Sequence, residues 1–206
     1  WRQLLDHGKE ASPLEMRDTF TPPLQTLLLA PVFKVFEPFW EFDTSMNVCF
    51  MDRVVAAVGL MFFLGAAGMA WLTAQRLFDE RIAGWVFVTI LACQFLWDVA
   101  RSGLPQMMTL FFFSIALDQF MRALQDAAAG RGATGHALVM GLMGALIVMS
   151  HWMGVWPVLG LACVAAWQLR PRIASALLVL APALIALAAW GVRNQTLCGD
   201  VFGSAK

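Results

Sequence analysis

Charge is scarce in this chain. Only 14% of its 206 residues are charged, with 14 Lys and Arg against 14 Asp and Glu, so the net charge is zero. Soluble domains carry about 25% charged residues, and nucleic-acid binders show a basic patch or stripe. This chain falls well below that charge fraction, which argues against a soluble fold, and with no net charge nothing suggests nucleic acid as a partner. Paired cysteines are also missing. Cys49, Cys93, Cys163 and Cys198 form no CxxC, and His7, His136 and His151 lie far apart, which excludes a structural zinc site of ordinary spacing. No charged n-region or small-residue cleavage site follows Trp1, so no secretory leader is expected in these residues. Repeats and low-complexity tracts are lacking as well.

What is present is apolar. Hydrophobic residues make up 60% of the chain and the mean hydropathy is +0.68. These values predict an integral membrane protein, an all-α polytopic helix bundle of about six spans or half-spans. A spanning helix needs about 20 mostly apolar residues. Val54–Thr73, Ile82–Trp97, Leu104–Leu124 and Ile173–Trp190 meet or approach that length. A single helix over Ala137–Leu169 would reach roughly 50 Å against a hydrocarbon core of about 30 Å. Two shorter helices turning at His151 fit better. That turn puts Arg76, Arg81, Arg122, Arg131, Arg170 and Arg172 on one side, which the positive-inside rule marks as cytoplasmic. Trp71, Trp85, Trp97, Trp167 and Trp190 fall near span ends, where an aromatic belt is expected.

Residues 1–53 carry eight of the fourteen acidic residues and read as an extracytoplasmic loop. Pro22-Pro23 suits a helix start, and Leu24–Phe39 reads either as an interfacial helix or as a buried packing helix. Residues 54–190 form the bundle, and 191–206 begin a further extracytoplasmic loop. Cys49 and Cys198 both fall outside the bundle, where a disulfide is allowed. Gln125–Gly135 reads as a flexible cytoplasmic loop.

This topology gathers polar groups at one membrane face: the acidic N-terminal segment, the loop from Asp98 through Arg101 to Gln106, the Ser150-His151 turn, and Arg193-Asn194. A charge at the lip of a bilayer is costly to place, which makes Asp98 and Arg101 functional candidates. Asp98 is a candidate general base, or a structural partner of Arg101 at i, i+3. Arg101 and Arg193 suit phosphate, because a guanidinium donates two parallel hydrogen bonds. Asp118 lies mid-span. It reads as a hydrogen-bonded polar group facing other helices, or as part of a relay, although no second mid-span carboxylate accompanies it.

Three stretches carry a resemblance. They are Phe20-Thr-Pro-Pro-Leu-Gln-Thr-Leu-Leu-Leu-Ala-Pro-Val-Phe-Lys-Val-Phe36, then Arg76–Gly84 with Arg101-Ser-Gly-Leu-Pro-Gln-Met-Met-Thr-Leu-Phe-Phe112, then Gly141–Pro157 with Ala188-Ala-Trp-Gly-Val-Arg-Asn-Gln-Thr-Leu-Cys-Gly199. Their order resembles the GT-C family of polytopic glycosyltransferases. Within it they resemble the branch of dolichyl-phosphate-mannose–protein mannosyltransferases and bacterial aminoarabinose transferases. The resemblance implies transfer of a sugar from a polyprenyl-phosphate carrier to a glycan, lipid or protein acceptor on the extracytoplasmic face.

It further implies a lipid-phosphate or substrate site drawing on Arg101, Gln106, His151, Arg193 and Asn194, with Asp98 as a catalytic candidate. The main catalytic acid would lie upstream of Trp1, in a chain expected to be an N-terminally truncated fragment. Thr21, Gln106 and His151 stand where the family pattern has Lys, Asp and Lys. No cofactor is evident, and a divalent cation is left open. The implied setting is a bacterial inner membrane, with membrane lipid around the bundle and the site facing the periplasm or exterior. Two other functions remain open. The Thr21 and Gln106 departures favour a catalytically silent lipid-binding or scaffolding protein. A transporter bundle would show polar residues through the bilayer and paired broken helices.

Overall fold

The computed structural model describes residues 23–36, 50–198 and 201, and these are helices joined by short turns. The elements are α1 (Leu24–Phe36), α2 (Phe50–Leu77), α3 (Glu80–Ala92), α4 (Gln94–Arg101), α5 (Gln106–Ala128), α6 (Thr134–Ser150), a 3-10 turn (Trp152–Gly154), α7 (Val155–Gln168) and α8 (Arg172–Cys198). Asp52–Leu77, Gln106–Ala128 and Arg172–Thr196 are long and apolar enough to cross a membrane, and α3 with α4 makes a fourth candidate if the bent pair is one span. α6 and the segment Trp152–Gln168 are shorter apolar helices. Large apolar side chains such as Met61, Val88, Trp167 and Ile185 stay exposed, as lipid-facing positions do in helices that are hydrophobic all round.

Successive long elements alternate in direction, and layers of packing tie them together. One layer joins Ala123 of α5, Ala133 and Ala137 before and within α6, Ala165 of α7 and Leu169. A second joins Ile147 and Val148 of α6, Val158 of α7 and Ala183 of α8, with Phe112 and Phe113 of α5 against them. The start of α6 thus meets the end of α7, and the apolar run breaks at His151, whose backbone is extended (φ −158°, ψ 134°). The His151 ring caps the next turn, accepting from the Met153 amide at 3.1 Å on Nδ1. Close helix contact is bought with glycine at Gly141, where an added Cβ would stand 2.1 Å from the Leu178 carbonyl oxygen, and at Gly59, equally close to the Ala100 oxygen.

Several expectations change. The second span breaks at Cys93 by 58°. The break frees carbonyls, and the Trp97 indole N–H donates to that of Leu91 at 2.6 Å. The expected loop from residue 191 is helical, since α8 continues to Cys198. α1 is described from Leu24 to Phe36, with residues 37–39 of the expected helix outside the described residues; it buries Leu29 and Phe33 against Val54 of α2 and leaves Leu27, Leu28 and Val35 exposed. The connection after α5 is a short, tied turn. Gly130 adopts φ +72°, and amides 130 and 131 return to the carbonyls of Ala127 and Asp126. This is a Schellman cap, whose left-handed residue favours glycine. Residues 1–22 and Cys49 lie outside the described residues, so the acidic N-terminal segment and the Cys49–Cys198 pairing do too.

Candidate functional site

The alternation of α4 through α8 brings the Asp98–Gln106 loop, His151 and the Arg193-Asn194 pair to the same end of the bundle. They are not equivalent there. Asp98 and Arg101 sit one turn apart on α4, pair at 3.1 Å, and are more than half exposed. The other polar partner of Asp98 is Gln94 Nε2 at 2.9 Å. Both partners belong to its own helix, so the i, i+3 structural reading describes its geometry. Gln106 opens α5 and is exposed. His151 Nδ1 accepts from the Met153 amide at 3.1 Å, so in this geometry the ring caps a turn.

The tightest constellation lies near the end of α8. Asn194 is fully buried. Its Nδ2 donates to the Val201 carbonyl at 3.2 Å, and its Oδ1 accepts from Arg193 Nη1 at 3.3 Å. The Arg193 guanidinium also lies over the Trp190 ring, 4.4 Å from its centroid, a cation–π contact that gains strength when desolvated. Trp190 is only 4% exposed, and its indole N–H is buried with no acceptor among the described residues. Leaving such a donor unsatisfied costs about 1–3 kcal/mol. Sequence reading placed Trp190 in the aromatic belt and missed it as a donor. Trp85 and Trp167 do face outward. The signal that separates Trp190 was its place one turn before Arg193.

A second polar cluster occupies the opposite end. Asp118 is fully buried and accepts from Arg76 Nε at 2.9 Å and Arg122 Nε at 2.8 Å. Arg122 is one helical turn further along α5, where i, i+4 side chains meet. Arg76 comes from the last turn of α2, and helical side chains lean back toward the N-terminus, which lets it reach down to Asp118. Beyond them, Asp126 accepts from Arg131 at 2.6 Å and lies 3.0 Å from His136 Nε2. His136 Nδ1 lies 2.8 Å from Gln119 Oε1.

Among the described residues no group of three or more His, Cys, Asp or Glu side chains gathers to hold a metal ion. Asp98 alone does not make a divalent-cation site. In comparisons with protein-family models, with curated proteins and with solved structures, the chain matches none.

Proposed function

We propose that the chain is part of a membrane glycosyltransferase that moves a sugar from a polyprenyl-phosphate carrier to an acceptor at the membrane face. The ordered motifs of the GT-C resemblance support this reading, as do the α-helical spans. The observation that carries it is the Trp190–Arg193–Asn194 cluster. A phosphate oxygen is the acceptor that a buried, orphaned indole N–H lacks. The adjacent guanidinium supplies charge-assisted hydrogen bonds to the same group. In transfer, the lipid phosphate becomes the leaving group, and donors fixed beside it stabilise the charge that develops. Asn194 then acts as a positioning residue that holds Arg193 in place.

The test uses the full-length protein in detergent and farnesyl phosphate as probe, with binding followed by native mass spectrometry. Arg193→Ala is expected to abolish binding and, in membranes, sugar transfer from a polyprenyl-phosphate donor. Trp190→Phe removes the unsatisfied donor, so it is expected to leave thermal stability unchanged or raised by about 1 kcal/mol while weakening the probe. Wild-type binding by both variants would refute the reading.

One observation favours a transporter bundle: the broken span at Cys93. Transporters of that kind pair two such breaks across their halves, and a single break, with its carbonyl satisfied by Trp97, supports the alternative less well. Solute uptake by liposomes carrying the full-length protein would decide for it.

A further inference from the structure

The cluster at the opposite end of the bundle has no part in the transferase reading. It surrounds an open cleft of about 250 Å³ lined by Arg76, Arg122, Gln125, Asp126, Arg131 and His136. Three elements build it: the end of α2, the second half of α5, and the turn into α6. A purely structural network would spend its donors internally, and this one does so only in part. Each guanidinium has five N–H donors. Arg76 and Arg122 give Asp118 their Nε–H, and among the described residues nothing takes their terminal amino groups. Both side chains are about a third exposed, at 32% and 39%.

Charge points the same way. Three guanidinia face two carboxylates, Asp118 and Asp126, so the cleft keeps an excess of positive charge before His136 is counted. The pairing also prepares the site. Asp118 sits beneath the two arginines and holds them by Nε. The Schellman turn at Gly130 fixes Arg131 at the rim. Preset forks of this kind match a phosphate bidentately and lose little freedom on binding it. Basic pockets between membrane helices are suited to phosphate head groups.

We propose that this cleft binds a phosphate group, presented either by an anionic phospholipid or by a soluble phosphate. The site is separate from the Trp190–Arg193 cluster, and its occupation does not depend on the transferase reading.

The experiment uses the full-length protein in detergent with three probes. Native mass spectrometry compares retention of phosphatidylglycerol with phosphatidylcholine, and titration calorimetry measures inorganic phosphate. Arg131→Gln is the first variant, because Arg131 lies in an exposed turn and its loss leaves the Asp118 pairs intact. Arg122→Lys is the second. It keeps a positive charge beside Asp118 but removes the fork, and thermal unfolding checks that both variants fold. Preferential retention of phosphatidylglycerol, weakened about tenfold in Arg131→Gln as one lost hydrogen bond to a charged group requires, supports the proposal with a lipid source. Inorganic phosphate binding weakened likewise, with equal retention of the two lipids, supports it with a soluble source. Absence of both, or binding that neither variant alters, overturns it. Arg81→Gln serves as the control, because Arg81 is exposed and lies outside the cleft lining, and it is expected to leave this binding unchanged.

Discussion

At Asp118 the physics of a single residue is exposed most clearly. A fully buried carboxylate is tolerated only when it is paired, and here two guanidinia from different helices pair it. Removing one member of a buried ion pair leaves the others uncompensated and costs about 3 kcal/mol or more. Asp118→Asn is therefore expected to lower stability by about 3 kcal/mol, read as reduced resistance to unfolding in mixed detergent micelles. A loss below about 0.5 kcal/mol would mean that solvent already satisfies the two arginines. Sequence marked Asp118 as a polar group facing other helices, which is what it is. Arg122 stands at the readable i, i+4 spacing, but Arg76 was not legible as a partner, because it is 42 positions away and lies in a basic stretch that reads as topology. Trp190 is the converse case. Its type and position fit an interfacial belt, and only the packing around α8 turned its indole inward.

Helices here are held by close approach more than by long apolar side chains. Lipid tails are as apolar as leucine, so membrane helices associate through packing and small residues. Gly141 lets α6 lie against the backbone of α8 at Leu178. Gly141→Val is expected to separate the two helices and destabilise the protein by about 1–3 kcal/mol, measured by thermal unfolding. Gly84→Ala is the control, since nothing lies within 4 Å of the added Cβ and alanine is the better helix former; equal damage from both would remove crossing geometry as the cause. The turn between α6 and α7 was legible in the sequence from the length of the apolar run, whereas Asp79, which caps α3 by accepting from the Ile82 amide at 2.7 Å, was not singled out. The break at Cys93 was not legible. No proline or glycine marks it, and its compensation comes from Trp97 and from Phe63 on another helix, 5.1 Å away ring to ring.

For the whole molecule, orientation is expected to follow the short arginine-bearing turns at one end. The end bearing Arg76, Arg122 and Arg131 is expected to face the cytoplasm under the positive-inside rule, with the Asp98–Gln106 loop opposite. Single cysteines test this in a background without the native four. Gly132→Cys, in the turn before α6, is expected to react with a membrane-impermeant maleimide only after permeabilisation. Ser102→Cys, at the end of α4, is expected to react in intact cells. The reverse pattern would invert the topology and move the Arg193 cluster to the cytoplasmic face.

Composition and hydropathy were sufficient for the class of this protein, because bilayer thickness imposes a length and an apolar content that any spanning helix must show. The turn at His151 followed from the same length argument, and the candidate polar residues from the cost of charge near lipid. Tertiary structure alone decided which of those groups meet. Whereas the Asp98–Arg101 pair was already readable as an i, i+3 contact, Trp190 became an unsatisfied donor beside Arg193, and Asp118 met Arg76 of another helix beneath a basic cleft. Such outcomes depend on which faces of distant helices pack together. That is set by steric fit at positions such as Gly59 and Gly141, where helix packing has no periodic signature along the chain.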